Sequence, residues 1–208
     1  MKYVLETGKN NHLIITLHGT GGSATDLFDI AKVLDKNATV MGFEGAVLEN
    51  GMRRYFKRFP QGGFDLENLS KNTKILYNSI NKAIEKHNLK NSIITVIGYS
   101  NGANIAKNIF KEFDNIKINN AILFHPSVIN PSKDYQRQSN INVLITYGKN
   151  DPYINKSEFL KMFNDMKKAS IKTEKFSHNS GHQLTNEELL EAKKYLSEVI
   201  EDKADEKI

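Results

Sequence analysis

Ile93-Ile94-Thr95-Val96-Ile97-Gly98-Tyr99-Ser100-Asn101-Gly102-Ala103-Asn104-Ile105-Ala106 is the stretch that decides the fold. Ile93–Ile97 is apolar and β-branched without alternation, the composition of a strand buried on both faces. It runs into Gly-x-Ser-x-Gly at Gly98–Gly102, and an amphipathic stretch, Ala103–Phe113, runs out of it. A sharp strand-to-helix turn lifts the serine hydroxyl above the sheet, and flanking glycines leave room for neighbouring chain. The start of the helix aims its free N–H groups and positive dipole end at the same point. Ser100 is therefore the candidate nucleophile. The bland alternative is a glycine-bounded turn in which Ser100 only caps the helix. Strand, motif and helix in register favour the nucleophile.

Outward from this stretch, short apolar runs alternate with longer amphipathic segments. The expected strands are Tyr3–Glu6, Leu13–Leu17, Thr39–Met41, Ile93–Ile97, Ala121–Phe124, Val143–Tyr147 and Thr173–Phe176. The expected helices are Asp26–Asp35, Glu67–His87, Ala103–Phe113, Lys156–Ala169 and Glu187–Ile200. Such alternation predicts a mostly parallel sheet of about seven strands with right-handed crossovers and helices on both faces. In that architecture ligands bind beyond the carboxyl ends of the strands. With 208 residues and no evident boundary, the chain reads as one α/β domain over 1–208, its charged end at 201–208 a frayed tail.

The residues that follow the other strands complete a hydrolytic set. A serine hydroxyl needs a base to take its proton, and the base needs a carboxylate to orient it. In a strand-turn-helix nucleophile fold of this kind the chain order is Ser, then Asp or Glu, then His. Asp151, in Gly148-Lys149-Asn150-Asp151-Pro152-Tyr153, follows Val143–Tyr147, and His182 follows Gly181 before the last helix. His178, four residues earlier, reads as a surface or strand-end histidine, and Asp134 as an acid in a polar loop. His125 ends a strand and is a candidate for the pocket wall; His12 and His87 read as inert. The glycine-rich Leu17-His18-Gly19-Thr20-Gly21-Gly22 follows the second strand. It supplies a backbone N–H at Thr20 to pair with that of Asn101 as an oxyanion hole, with His18 itself structural.

Between Gly42 and Phe64 no element is plain. Met52, Tyr55, Phe56 and Phe59 recur at helical spacing, with Arg53, Arg54, Lys57 and Arg58 between them. This predicts a short amphipathic helix. Its aromatics either pack on the core or, with Met52, Arg53, Arg54, Tyr55, Phe56 and His125, wall a substrate pocket in which an arginine meets an anionic or phenolate group.

Composition narrows the classes. Apolar residues make up 39% and charged residues 25%, an ordinary globular balance. There is no cysteine, which excludes disulfides, thiolate zinc sites and a cysteine nucleophile. The net charge of +5 comes from scattered lysines without a nucleic-acid-binding motif, so a nucleic-acid partner is not expected. No run approaches the ~18 apolar residues of a membrane span, and the first 17 residues lack a signal-peptide pattern, so a cytoplasmic address is expected. No His/Asp/Glu group has metal-ligand spacing, and neither a metal nor an organic cofactor is expected.

Taken together, Leu17–Gly22, Gly98–Ala103, Gly148–Ile154 and Gly181-His182 resemble the carboxylesterase/phospholipase group of α/β-hydrolases, which includes acyl-protein thioesterases and lysophospholipases. The block Glu49–Leu69 is similar to that of the bacterial branch holding the hydrolase linked to methylhydroquinone and catechol resistance. The resemblance implies a compact esterase without a large lid, with catalytic roles on Ser100, Asp151 and His182. Acyl-protein thioesterases carry Gln after the serine, where this chain has Asn101, so the substrate class stays open. The expected activity is hydrolysis of small carboxylic esters through an acyl-enzyme, by a monomer or homodimer. Thioesters, lysolipids and quinone-derived esters are the alternatives, and a catalytically dead binding module on the same fold is the remote one.

Overall fold

The computed structural model describes residues 1–205. Nine strands and five helices alternate in the order β1 (Tyr3–Glu6), β2 (His12–Leu17), α1 (Phe28–Leu34), β3 (Thr39–Phe43), β4 (Val47–Glu49), β5 (Met52–Arg54), α2 (Leu66–Lys86), β6 (Ile93–Tyr99), α3 (Asn101–Glu112), β7 (Asn120–Phe124), β8 (Asn142–Gly148), α4 (Lys156–Lys168), β9 (Lys172–His178) and α5 (Asn186–Asp205). Seven strands form one sheet in the order β1-β3-β2-β6-β7-β8-β9. Only β1 is antiparallel to its neighbour. Outside residues 42–64 the expected strands and helices are present within a few residues of their predicted ends. The last helix runs past Ile200 to Asp205 where a frayed tail was expected; residues 206–208 lie outside the described residues.

The unbroken apolar runs divide by parity between two cores, because successive strand side chains point to opposite faces. Leu13, Ile15, Leu17, Val96, Ala121, Leu123, Val143 and Ile145 pack with α2, α3 and α4 on one face. Ile14, Ile97, Ile122, Phe124 and Leu144 pack with α1 and α5 on the other. On α2, Leu69, Leu76, Ile80, Ala83 and Ile84 recur at helical spacing and are buried. Its start is set by Asp65, whose carboxylate accepts the Asn68 N–H at 2.9 Å. A capping box between Asn155 and Glu158 starts α4.

The region from 47 to 64 differs from expectation. Val47–Glu49 and Met52–Arg54 pair as an antiparallel hairpin, not a helix. The turn is Asn50-Gly51, both with positive φ (51° and 77°). Asn-Gly is the dipeptide that favours the tight hairpin turn whose twist matches the strands, and this local preference overrides the helical spacing. Beyond the hairpin, Tyr55 and Phe56 have no exposed surface and join the core, whereas Phe59 is exposed.

Candidate active site

Ser100 sits between β6 and α3 with φ 51° and ψ −110°, outside the regions favoured by L-residues. It is held there by its N–H, donated to Phe124 O at 2.9 Å, and by its carbonyl, which accepts from Asn104 N–H at 2.9 Å. Gly102 is required by packing: a Cβ there would lie 2.0 Å from the Leu17 carbonyl oxygen. The elbow thus presses against the end of β2, where the Thr20 loop begins.

The other two members come from loops that are stitched together. A Cβ on Gly148 would lie 2.1 Å from the Gly181 carbonyl oxygen, so only glycine lets the Asp151 and His182 loops approach. Lys149 N–H donates to His178 O at 2.8 Å and Asn150 N–H to Ser180 O at 3.1 Å. His182 Nδ1 then lies 2.7 Å from Asp151 Oδ2, and its Nε2 lies 2.8 Å from Ser100 Oγ. With Asp151 ionised, Nδ1 donates and Nε2 accepts the serine proton, the tautomer a general base requires. Burial pushes the Asp151 carboxyl up; hydrogen bonds from His125, His182 and the Tyr153 N–H outweigh it and hold the group below its ordinary value. Tyr99 donates its hydroxyl to His182 O at 2.7 Å, and Tyr153 meets the imidazole edge-on at a centroid distance of 4.7 Å.

A cleft opens over Ser100 and His182, walled by Thr20, Met52, Arg54, Arg58, Phe64, Tyr99, Asn104, Ser127 and Tyr153. Of the expected pocket residues, Met52 and Arg54 line it. Arg53 instead faces Glu44 at 3.3 Å, and Tyr55 and Phe56 are core. The Tyr55 hydroxyl donates to Phe43 O at 2.7 Å and accepts the His18 N–H at 3.1 Å. His18 is buried, its Nε2 accepting from Gly45 N–H at 3.0 Å. The Thr20 loop is tied to the hairpin by Gly21 N–H to Arg53 O at 2.8 Å and by Arg54 Nη1 to Thr20 Oγ1 at 2.9 Å. Asn101, the first residue of α3, has a backbone N–H with no intrahelical acceptor, as at any helix start. Asp134 lines a separate hollow beside Lys107 and Lys111.

His125 is not at the pocket wall. It lies behind Asp151, buried, with Nδ1 2.9 Å from Asp151 Oδ2 and Nε2 3.3 Å from Glu188 Oε2. His178 is likewise buried rather than at the surface, its Nε2 3.2 Å from His125 Nε2. Among the described residues, His125, Asp151 and His182, and separately His125, His178 and Glu188, are close enough to share a metal ion. The first triplet is already joined by hydrogen bonds. In the second, Ser180 N–H donates to His178 Nδ1 at 3.2 Å, which puts the proton on Nε2 and leaves no lone pair there for a cation. Sequence reading missed Glu188, Arg58, Tyr99, Ser127 and Tyr153. Tyr153 lies in the Asp-Pro-Tyr motif that follows β8, whereas Glu188 is one of two acids in the first turn of α5.

The dienelactone hydrolase family matches residues 56–206. The chain belongs to that family. The hydrolase MhqD of Bacillus subtilis (strain 168) is 34% identical over 200 residues, covering 96% of this chain and all of that protein. The crystal structure of the Bacillus cereus carboxylesterase superposes with a TM-score of 0.90 at 35% identity, covering 96% of this chain and 94% of that one. The structure of YahD with malic acid gives 0.85 at 32% identity, covering 95% and 98%. This member of the dienelactone hydrolase family is an ester hydrolase with the α/β-hydrolase fold. No helix among its described residues is long and apolar enough to cross a membrane.

Proposed function

We propose that the enzyme hydrolyses small carboxylic esters through an acyl-enzyme on Ser100, acting as a single domain. The observation that carries this is the continuous chain Ser100 Oγ–His182 Nε2 (2.8 Å) and His182 Nδ1–Asp151 Oδ2 (2.7 Å) at the floor of the cleft. Ser100 attacks the carbonyl carbon as its proton passes to His182. The oxyanion meets the N–H groups of Asn101 and Thr20. Collapse breaks the ester C–O bond, and His182 returns the proton to the leaving alcohol. Water, deprotonated by His182, then releases the acid and restores Ser100.

The hairpin supports a narrower reading, in which the ester carries a negative charge. Arg54 and Arg58 both reach the cleft, and both pair with the single carboxylate of Glu49, at 3.5 and 2.8 Å. One positive charge is left over beside the serine, and guanidinium groups bind carboxylates through charge-assisted, bidentate bonds. YahD, whose structure holds the dicarboxylate malic acid, is in keeping with this.

The test is a panel of nitrophenyl esters of increasing acyl length, with one anionic ester, a thioester and a lysophospholipid. The expected result is a preference for short acyl groups and a further gain for the anionic ester that weakens with salt. Exclusive turnover of the lysophospholipid or the thioester would replace this reading with the corresponding alternative.

A further inference from the structure

Behind the proposed triad lies a second layer of ionisable groups that the hydrolysis steps do not use. Asp151 Oδ2 receives two imidazoles, His182 at 2.7 Å from the cleft side and His125 at 2.9 Å from the interior. The far nitrogen of His125 faces Glu188, whose other oxygen accepts the Thr146 hydroxyl. The side chains of Asp151, Glu188 and His125 have no exposed surface. His125 itself takes φ 51° directly after β7, a backbone conformation uncommon for a non-glycine residue.

Charge balance decides the protonation. Two wholly buried carboxylates facing a neutral imidazole would leave two uncompensated charges in the interior, where desolvation disfavours them. Glu188 also accepts hydrogen bonds from the Thr146 hydroxyl and, at 3.3 Å, from the Thr185 N–H. The groups facing His125 are Tyr99 from β6, Asp151 from the loop after β8, His178 from β9, His182 from the loop before α5, and Glu188 from α5. Burial pushes the Tyr99 phenol up, as do the charges of Asp151 and Glu188, so it stays neutral. His178, whose Nδ1 accepts from the Ser180 N–H, carries its proton on Nε2, 3.2 Å from His125 Nε2 and 3.5 Å from Glu188 Oε2; with His125 protonated on both nitrogens that proton turns to Glu188. If His125 were neutral, its bare Nε2 would face both Glu188 oxygens, at 3.2 and 3.3 Å, and would have the His178 N–H as its donor.

We propose that His125 is a positioning residue for the ester hydrolysis: a buried imidazolium held between Asp151 and Glu188. It fixes the Asp151 carboxylate from behind and cancels one of two buried negative charges near His182. This rests on the triad reading above. Burial alone would pull the His125 imidazole down; the bonds and charges of Glu188 and then Asp151 outweigh it and hold the group above its ordinary value. The enzyme therefore works with a net single negative charge behind its base.

The consequence is a compensation pattern in the pH dependence of kcat/KM for a neutral ester. His125→Gln leaves Asp151 and Glu188 both charged beside His182, so the base holds its proton more strongly. The rising limb then moves up by about one pH unit. Glu188→Gln removes one anion and lets His125 lose its proton, so the limb stays near that of wild type. The double variant His125→Gln/Glu188→Gln has the wild-type net charge, and its limb returns. A merely structural role gives losses that accumulate in the double variant and no returning limb. Nitrogen-15 NMR of the ring reads the same claim without turnover: both His125 nitrogens carry protons at pH 7 in wild type, and one does in Glu188→Gln. That signal keeps the test intact if His125→Gln does not fold. A singly protonated wild-type His125, or a shifted limb that the second substitution fails to bring back, overturns the proposal. Failure of the triad reading is distinct: Ser100→Ala would then retain turnover while the His125 signal is unaffected.

Discussion

Three side chains from three separate loops meet at hydrogen-bond distance above the sheet, and each owes its place to a neighbour with little freedom. Ser100→Ala, His182→Ala and Asp151→Asn are each expected to stay folded and lose at least ~10³ in kcat, with double variants no worse than the singles. Steady-state kinetics with a nitrophenyl ester checks this; wild-type turnover in His182→Ala would move the base elsewhere. Gly102→Ala makes a different claim, since its Cβ would lie 2.0 Å from a backbone oxygen that cannot swing away. It should cost about 1–3 kcal/mol of stability, measured by urea unfolding, and lower kcat by displacing the serine. At this scale Ser100, Asp151 and His182 were legible because each follows a strand in a short motif of glycine or proline. Glu188 was not, because an acid in the first turn of a helix is ordinary, and in the structure it also caps α5: its N–H donates to Thr185 Oγ1 and its Oε2 accepts the Thr185 N–H, both at 3.3 Å. That its carboxylate also turns inward to His125 depends on how α5 docks across β8 and β9, which no local pattern encodes.

The β4–β5 hairpin is the element that shapes the cleft. It carries Met52 and Arg54 to the serine and ties the Thr20 loop through the Arg53 carbonyl. Arg58→Ala should raise KM for an anionic ester about tenfold and leave a neutral ester unchanged, with the difference shrinking as salt is raised. Arg54→Ala should affect both esters, because Arg54 also holds Thr20 Oγ1. Equal effects of Arg58→Ala on both esters would remove the charge preference from the account. Phe56→Ala, in contrast, removes a ring with no exposed surface and should cost about 3–5 kcal/mol of stability, visible as a lower Tm. The helical spacing of Met52, Tyr55, Phe56 and Phe59 misled because alternation ends at Arg54 and a core loop begins at Tyr55. Asn50-Gly51 was the available signal for the hairpin.

Across the whole molecule the two-sided core follows from runs such as Ile93–Ile97 and Val143–Ile145, whose continuity requires cover on both faces. The same burial sets the response to acid. Burial holds His12 and His18 below the ordinary histidine value of 6.5, so their contribution is full above that value and is lost as pH falls toward their native values. His125 has the opposite sign: its contribution is full below 6.5 and fades as pH rises through its raised native value. The two windows meet at 6.5, so on acidification from pH 7.5 the His125 contribution raises Tm as far as 6.5, and below it the His12 and His18 contributions lower Tm; calorimetry should show the first limb lost in His125→Gln and the second kept. A first limb that persists in His125→Gln would contradict this assignment. The central claim is that Ser100 is a nucleophile activated by His182. Fluorophosphonate labelling followed by peptide mass mapping tests it most directly, since the reagent needs an activated serine but not the natural substrate. The account predicts one adduct on the peptide containing Ser100, absent in Ser100→Ala and strongly slowed in His182→Ala. A wild-type enzyme that hydrolyses ester yet carries no adduct, or carries it on another residue, would contradict it.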